Sequence, residues 1–209
     1  MKHLLLAVVV FALAPVLGVV CAVSPGHAQS APPTEIAGFR LGDAIGPYAS
    51  KLDREITEEK LVRQYLTVSA LLPVPGFRSG YVTYGNCVTP NRIVRIKMNY
   101  EDESKGFYEQ ILAALKKRYG EPQEWRGNPF GTLRTWKWSF TDGALGDVSL
   151  ILQHYSGGDN DFTRGNSIRL AANGLNKAES DCYFAKHPER VARISPQPPK
   201  PDFEALLPR

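Results

Sequence analysis

Between Asn91 and Pro122 the hydrophobic period of the chain changes from two residues to about 3.6, and this change restricts the fold more than any other stretch. In the first half Val94, Ile96, Met98 and Tyr100 alternate with Arg95, Lys97 and Asn99, the pattern of a strand with one buried face and one wet face. In the second half Phe107, Ile111, Leu115 and Tyr119 recur every fourth residue, and Leu112 and Ala114 widen the stripe. A helix that lies across a sheet needs such a stripe. Asp102 or Ser104 stands where an N-cap accepts hydrogen bonds from orphan amides, while Lys116, Lys117 and Arg118 occupy the negative end of the helix dipole. Gly120 and Pro122 then stop the helix.

The segments around this unit read as sheet. Tyr81–Tyr84 is a short strand, and Gly85-Asn86 opens a connection through Pro90 that makes a hairpin with the central strand. Beyond the helix, Thr132–Phe140 places Trp136, Trp138 and Phe140 on one side. Val148–Tyr155 does the same with Val148, Leu150 and Leu152, and Ser167–Ala172 with Ile168, Leu170 and Ala172. Asp142-Gly143 and the turn-rich loop 157–165 separate these three strands without a helix between them, which predicts an antiparallel meander. The expected class is therefore α+β, a twisted antiparallel sheet with a β-β-α-β-β-β core and one main amphipathic helix packed on one face. Ile36–Leu41 reads as a first strand or extended arm, Pro47–Arg54 as a short helix and Glu55–Lys60 as a solvated charged run. Residues 61–72 fit both periods, with β-branched content favouring a strand, and Glu121–Gly131 reads as a loop.

Compartment follows from the start of the chain. Lys2, the apolar run Leu4–Val23 and the small residues Gly26 and Ala28 predict a signal peptide over 1–28, cut after Ala28; an uncleaved membrane anchor is the alternative. Residues 29–34 form a disordered leader, 35–186 a single domain, and 187–209 a flexible tail with six prolines. Cleavage leaves Cys87 and Cys182 as the cysteine pair of a periplasmic or secreted chain, which predicts a disulfide. It also lowers the formal charge from +4 to about +3, too mild an excess for a nucleic-acid binder. After cleavage no stretch is apolar enough to span a membrane.

The chemistry on offer is sparse. Arg95, Lys97, Lys137 and Arg169 share the outer phase of three predicted strands, so neighbouring strands would gather them into a cationic patch fit for an anionic envelope component or an acidic protein partner. Balanced charges on an ordinary wet face are the plain reading of the same residues. Trp136, Trp138 and Phe140 are expected in the core rather than as a stacking platform. Asp159, Asp161, Thr163 and Asn166 resemble a calcium loop only loosely, because Arg164 stands where glycine is needed and no closing glutamate follows. No metal or cofactor is expected, and His154 and His187 lie at no ligand spacing from a cysteine. Glu101, Asp102 and Glu103 suit a helix entry as well as acid–base work. The sequence thus favours a non-catalytic exported binding or interaction domain. The alternatives are a small envelope hydrolase pairing His154 with Asp147 or Asp159, and a subunit of an envelope assembly.

Overall fold

The computed structural model describes residues 31–59, 64–158 and 164–191. The expected signal peptide, the residues of the Asp159-Asp161-Thr163 loop and the tail from 192 onward lie outside them. A small antiparallel pair, β1 (Glu35–Ile36) and β2 (Phe39–Arg40), precedes a 3-10 turn at Gly46–Lys51. Four strands follow: β3 (Leu52–Glu59), β4 (Leu66–Leu71), β5 (Phe77–Gly85) and β6 (Ile93–Tyr100). Helix α1 (Lys105–Tyr119) leads to β7 (Glu124–Gly127), β8 (Leu133–Asp142), β9 (Gly146–Tyr155) and β10 (Gly165–Ala172). Helices α2 (Asn173–Lys186) and α3 (Pro188–Val191) follow.

The eight long-sheet strands lie in the order β3-β4-β5-β6-β10-β9-β8-β7, every neighbour antiparallel. The order makes sense of α1. It carries the chain from β6, in the middle of the sheet, across to the far edge, and the β7–β10 meander then fills the sheet back to β6. The result is the α+β antiparallel architecture that the periodicities require.

Register decides which side chains meet. Val82, Ile96, Leu170, Leu150 and Trp138 form one continuous cross-strand row, and Met98, Ile168, Leu152 and Trp136 form the next. All but Trp136 are buried, and α1 lies over them with Ile111, Leu112, Leu115 and Tyr119 packed on the cluster. The stripe that marks the helix in the sequence omits Tyr108, yet Tyr108 is its one fully buried residue, 1% exposed.

Both ends of α1 are tied to the sheet by buried polar side chains. At the start, Ser104 Oγ accepts from the Phe107 amide, and Asn166 Nδ2 donates to the carbonyls of Asp102 and Ser104 at 2.8 Å each. At the end, Trp138 Nε1 donates to the Gly120 carbonyl at 2.8 Å, while Gly120 takes the positive φ of 78° that reverses the chain.

The sequence pattern does not announce α2, which packs against β9, β10 and β6 across one end of the sheet. Its anchor is Glu179, 0% exposed, whose carboxylate accepts from the successive backbone amides of Asn86, Cys87, Val88 and Thr89 and from the Thr89 hydroxyl. Gly85 makes this approach possible, since a Cβ there would stand 2.4 Å from the Glu179 carboxyl carbon. One turn further along α2, Cys182 is bonded to Cys87 of the same loop, closing a sequence separation of 95 residues. A loop this long gives a disulfide a stabilising effect on the order of 4 kcal/mol in the chain-entropy model.

Other departures from the sequence reading have local causes. Glu121–Gly131 is not all loop: β7 pairs with β8 through Trp125–Trp136 and Arg126–Thr135, four residues being too short to show a period. Pro47–Arg54 is a 3-10 turn that gives way at Leu52 to β3, and the charged run Glu55–Lys60 falls largely within that edge strand. The arm at Ile36–Leu41 is a hairpin turning at Ala37 and Gly38, both at positive φ, and it sends Phe39 and Leu41 into the core. Residues 188–191 of the expected flexible tail form α3.

Burial opposes the charge on Glu179, but the amides of Thr89, Cys87 and Val88 and the Thr89 hydroxyl outweigh it and hold the carboxyl below its ordinary value of 4.5. A depressed folded-state pKa contributes stability that is present above pH 4.5 and lost as the pH falls through the folded value. Glu179→Gln places an amide NH2 against amide donors and is expected to cost about 3 kcal/mol at pH 7. Urea unfolding from pH 7 down to pH 3 checks this: the variant should lose less stability on acidification than the native chain.

Candidate functional site

The outer face of the sheet gathers the four predicted cations. Tyr81, Lys97, Arg169, Ile151, Lys137 and Glu124 make one cross-strand row over β5, β6, β10, β9, β8 and β7. Arg95, Ala171, Ser149 and Ser139 make the row beside it, and Asn99, Ser167, Gln153, Thr135 and Arg126 the row on the other side. Lys97 and Arg169 are therefore directly opposed, with Arg95 diagonal to Arg169, and Lys137 lies two strands away across Ile151. Strand alternation accounts for this, because the residues between them feed the core.

The four cations differ in their surroundings. Lys137 Nζ lies 2.5 Å from Glu124 Oε1, and Glu124 also takes Arg126 at 3.2 Å. The hydrogen bond from Lys137 holds the Glu124 carboxyl below its ordinary value. Lys97 is half-buried and has no acid partner among the described residues. Burial, then the neighbouring Arg169 and Arg78 guanidinium groups, push its ammonium below the usual lysine value. Arg78 is itself paired with Glu103, which also holds Arg164.

A groove of about 490 Å³ opens over β7–β10 on this face, within the size range of small-ligand sites. Arg169 borders it on one side and Lys137 and Arg126 on the other, with Thr135, Ser149, Gln153 and Asn173 offering hydrogen bonds between them. Arg126 escaped the sequence reading because its strand was taken for loop, and Gln153 and Ser149 carry no signal apart from their phase.

His154 and Asp147 of the alternative hydrolase arrangement are placed apart. His154 is 7% exposed, and its Nδ1 lies 2.7 Å from Asn166 Oδ1, not from an acid. Because the Asn166 amide nitrogen already donates twice to α1, its oxygen faces the histidine, which assigns the proton to Nδ1. Asp147 pairs with Thr141 at the opposite end of β9, and Asp159 lies outside the described residues. Asp102 accepts from the Ser104 amide at the helix entry, and the Ser104 hydroxyl, then that amide, hold its carboxyl below the usual range. Among the described residues no three His, Cys, Asp or Glu side chains converge as metal ligands, and no helix is long and apolar enough to cross a membrane.

Of the aromatic trio, Trp138 and Phe140 are core, as their phase implies, whereas Trp136 is half-buried beneath Lys116, whose ammonium lies 5.4 Å from its ring centre. No protein-family model matches the chain, and no curated protein or solved structure matches it either.

Two substitutions separate structural from functional roles here. Asn166→Ala removes both donors to the entry of α1 and the partner of His154, and is expected to lower stability by about 2 kcal/mol in denaturant unfolding. Lys97→Met should act in the other direction. A lysine whose folded pKa is lowered penalises the folded state below that pKa, and the penalty lifts as the pH rises through it. The variant is expected to gain up to about 1 kcal/mol at pH 7 and to lose the native chain's rise in stability on the alkaline side.

Proposed function

We propose that this protein is an exported, non-catalytic binding domain that takes the phosphate or carboxylate groups of an anionic envelope component on the polar face of its sheet. The observation that carries the reading is the Lys97–Arg169 opposition, in which Lys97 has no acid partner among the described residues. Like charges directly across a strand pair destabilise a sheet, and a bound anion relieves that cost. The adjoining groove supplies further cations and hydrogen-bonding side chains for the rest of the ligand. Export rests on the apolar N-terminal run with its small-residue cut after Ala28, and the Cys87–Cys182 bond suits an oxidising compartment.

Vesicle co-sedimentation tests the binding face. The protein is expected to be retained on phosphatidylglycerol vesicles and not on phosphatidylcholine vesicles, with retention falling as salt is raised. Lys97→Gln with Arg169→Gln should weaken retention by about tenfold, and Lys137→Gln by less because Glu124 already neutralises Lys137. Equal retention of the Lys97/Arg169 double variant and the native protein would remove the polar face as the binding surface.

A further inference from the structure

The apolar face carries a second opening, on the other side of the sheet from the polar groove, the two meeting only at Leu133. It is a groove of about 390 Å³ between α1 and the β7–β8 hairpin, walled by Leu112, Trp125 and Trp136 and floored by Tyr108 and Arg134. Three features set it apart from an ordinary crease.

Its first feature is exposed aromatic surface in a fixed place. Trp125 is 57% exposed, and its ring stands 6.2 Å from that of Trp136 across the β7–β8 pair. The loop of Asn128, Pro129 and Gly131 closes one side, and Asn128 ties it together, accepting from the Leu133 amide at 3.1 Å and donating to the Thr132 hydroxyl at 2.6 Å. The second feature is a cation in a core phase. Arg134 lies directly opposite His154 on the face that otherwise holds Trp136, Trp138 and Phe140, and among the described residues no carboxylate pairs with it. The third is an unmet polar group, since the Tyr108 hydroxyl is buried with no hydrogen-bond partner among the described residues. Burial raises this phenol to about 12, so it is a neutral donor at any physiological pH. The one acid in the lining, Glu109, is engaged with Lys105 at 3.4 Å.

We propose that this groove binds a small amphipathic anion, an aromatic ring bearing one carboxylate or sulfonate, with the ring against Trp125 and Trp136 and the acid group on Arg134. Offset rings stack on such walls, and a planar guanidinium takes a carboxylate through two parallel hydrogen bonds. The groove's volume lies at the small end of ligand sites and admits two fused rings with one further ring attached.

Fluorescence titration with anilinonaphthalene sulfonate, and with its neutral counterpart N-phenylnaphthylamine, tests the assignment. The native protein is expected to bind the sulfonate at one saturable site. Arg134→Gln should weaken the sulfonate by about tenfold and leave the neutral amine within about twofold, whereas Trp125→Ala should weaken both. No saturable binding by the native protein, or sulfonate binding indifferent to Arg134→Gln, overturns the proposal. Should Arg134→Gln lose its native circular dichroism, the exposed Trp125 variant decides: loss of both probes supports the groove, and unchanged binding of both overturns it.

Discussion

Docking of α1 onto the meander is the contact from which the rest of the architecture follows, because its apolar stripe packs on the buried cluster that β8, β9 and β10 build with the rest of the sheet. That docking is apolar along its length and polar at its ends. Ile111, Leu112 and Leu115 pack on the Leu150–Leu170 rows, while Asn166 takes two carbonyls at the helix entry and Trp138 takes one at its exit. Burying apolar area alone would let the helix slide or rotate, since the hydrophobic effect has no direction. Three buried donors with fixed positions do not permit it. Each would lose its partner on a shift of one residue, at about 1–3 kcal/mol for a stranded polar group. His154 belongs to this clamp: its Nδ1 proton holds the Asn166 amide in the orientation that serves α1. The sequence offers it as the histidine of a hydrolase pair, and its geometry is that of a positioning residue for a helix.

Glu179 does for α2 what Asn166 does for α1, with the polarity reversed. Here the helix provides the side chain and the loop 86–89 provides four backbone amides, of which that of Asn86 is shared with the Tyr65 carbonyl. A buried carboxylate without a cation is costly unless amides solvate it, and this loop supplies them at hydrogen-bond distance. The Cys87–Cys182 bond fixes the same two segments covalently. Neither part depends on a hydrophobic stripe, and α2 has Glu179 as its only fully buried residue.

That contrast explains what the sequence discloses. Strands β6, β8, β9 and β10 and helix α1 each bury one face against the core, so their period is written in Val94–Tyr100, Trp136–Phe140, Val148–Leu152, Ile168–Ala172 and the Phe107–Tyr119 stripe. The phase that places these side chains inward also places Arg95, Lys97, Lys137 and Arg169 outward, and that much of the candidate site is legible. Helix α2 is held by one carboxylate and a disulfide, and β7 is a four-residue strand paired on one edge, so neither leaves a periodic trace. Glu179 looks like any other acid until the loop that surrounds it is seen. Arg134 is different, because a cation in the same phase as Trp136, Trp138 and Phe140 contradicts the pattern on its face. Such contradictions mark places where packing has yielded to something else.

Why the pattern yields at Arg134 follows from dimensions. Eight strands spaced about 4.8 Å apart span about 34 Å, whereas one helix with its side chains is about 10 Å wide and shields little more than two strands. The apolar face therefore needs other cover on either side of α1. On the β6 side the β1–β2 arm and the segment after it supply it, inserting Phe39, Leu41 and Ile45 into the core cluster. Toward β7 no described element does the same, and the inward phase of β7 and β8 must end in residues that tolerate partial exposure. Trp125 and Trp136 do so with ring faces, and Lys116 covers part of one of them. Arg134 does so with a charged head on an aliphatic stem. An uncovered sheet margin thus becomes a lined groove, and its guanidinium has no carboxylate in its cross-strand row among the described residues, which is the condition under which an anion gains most from binding there.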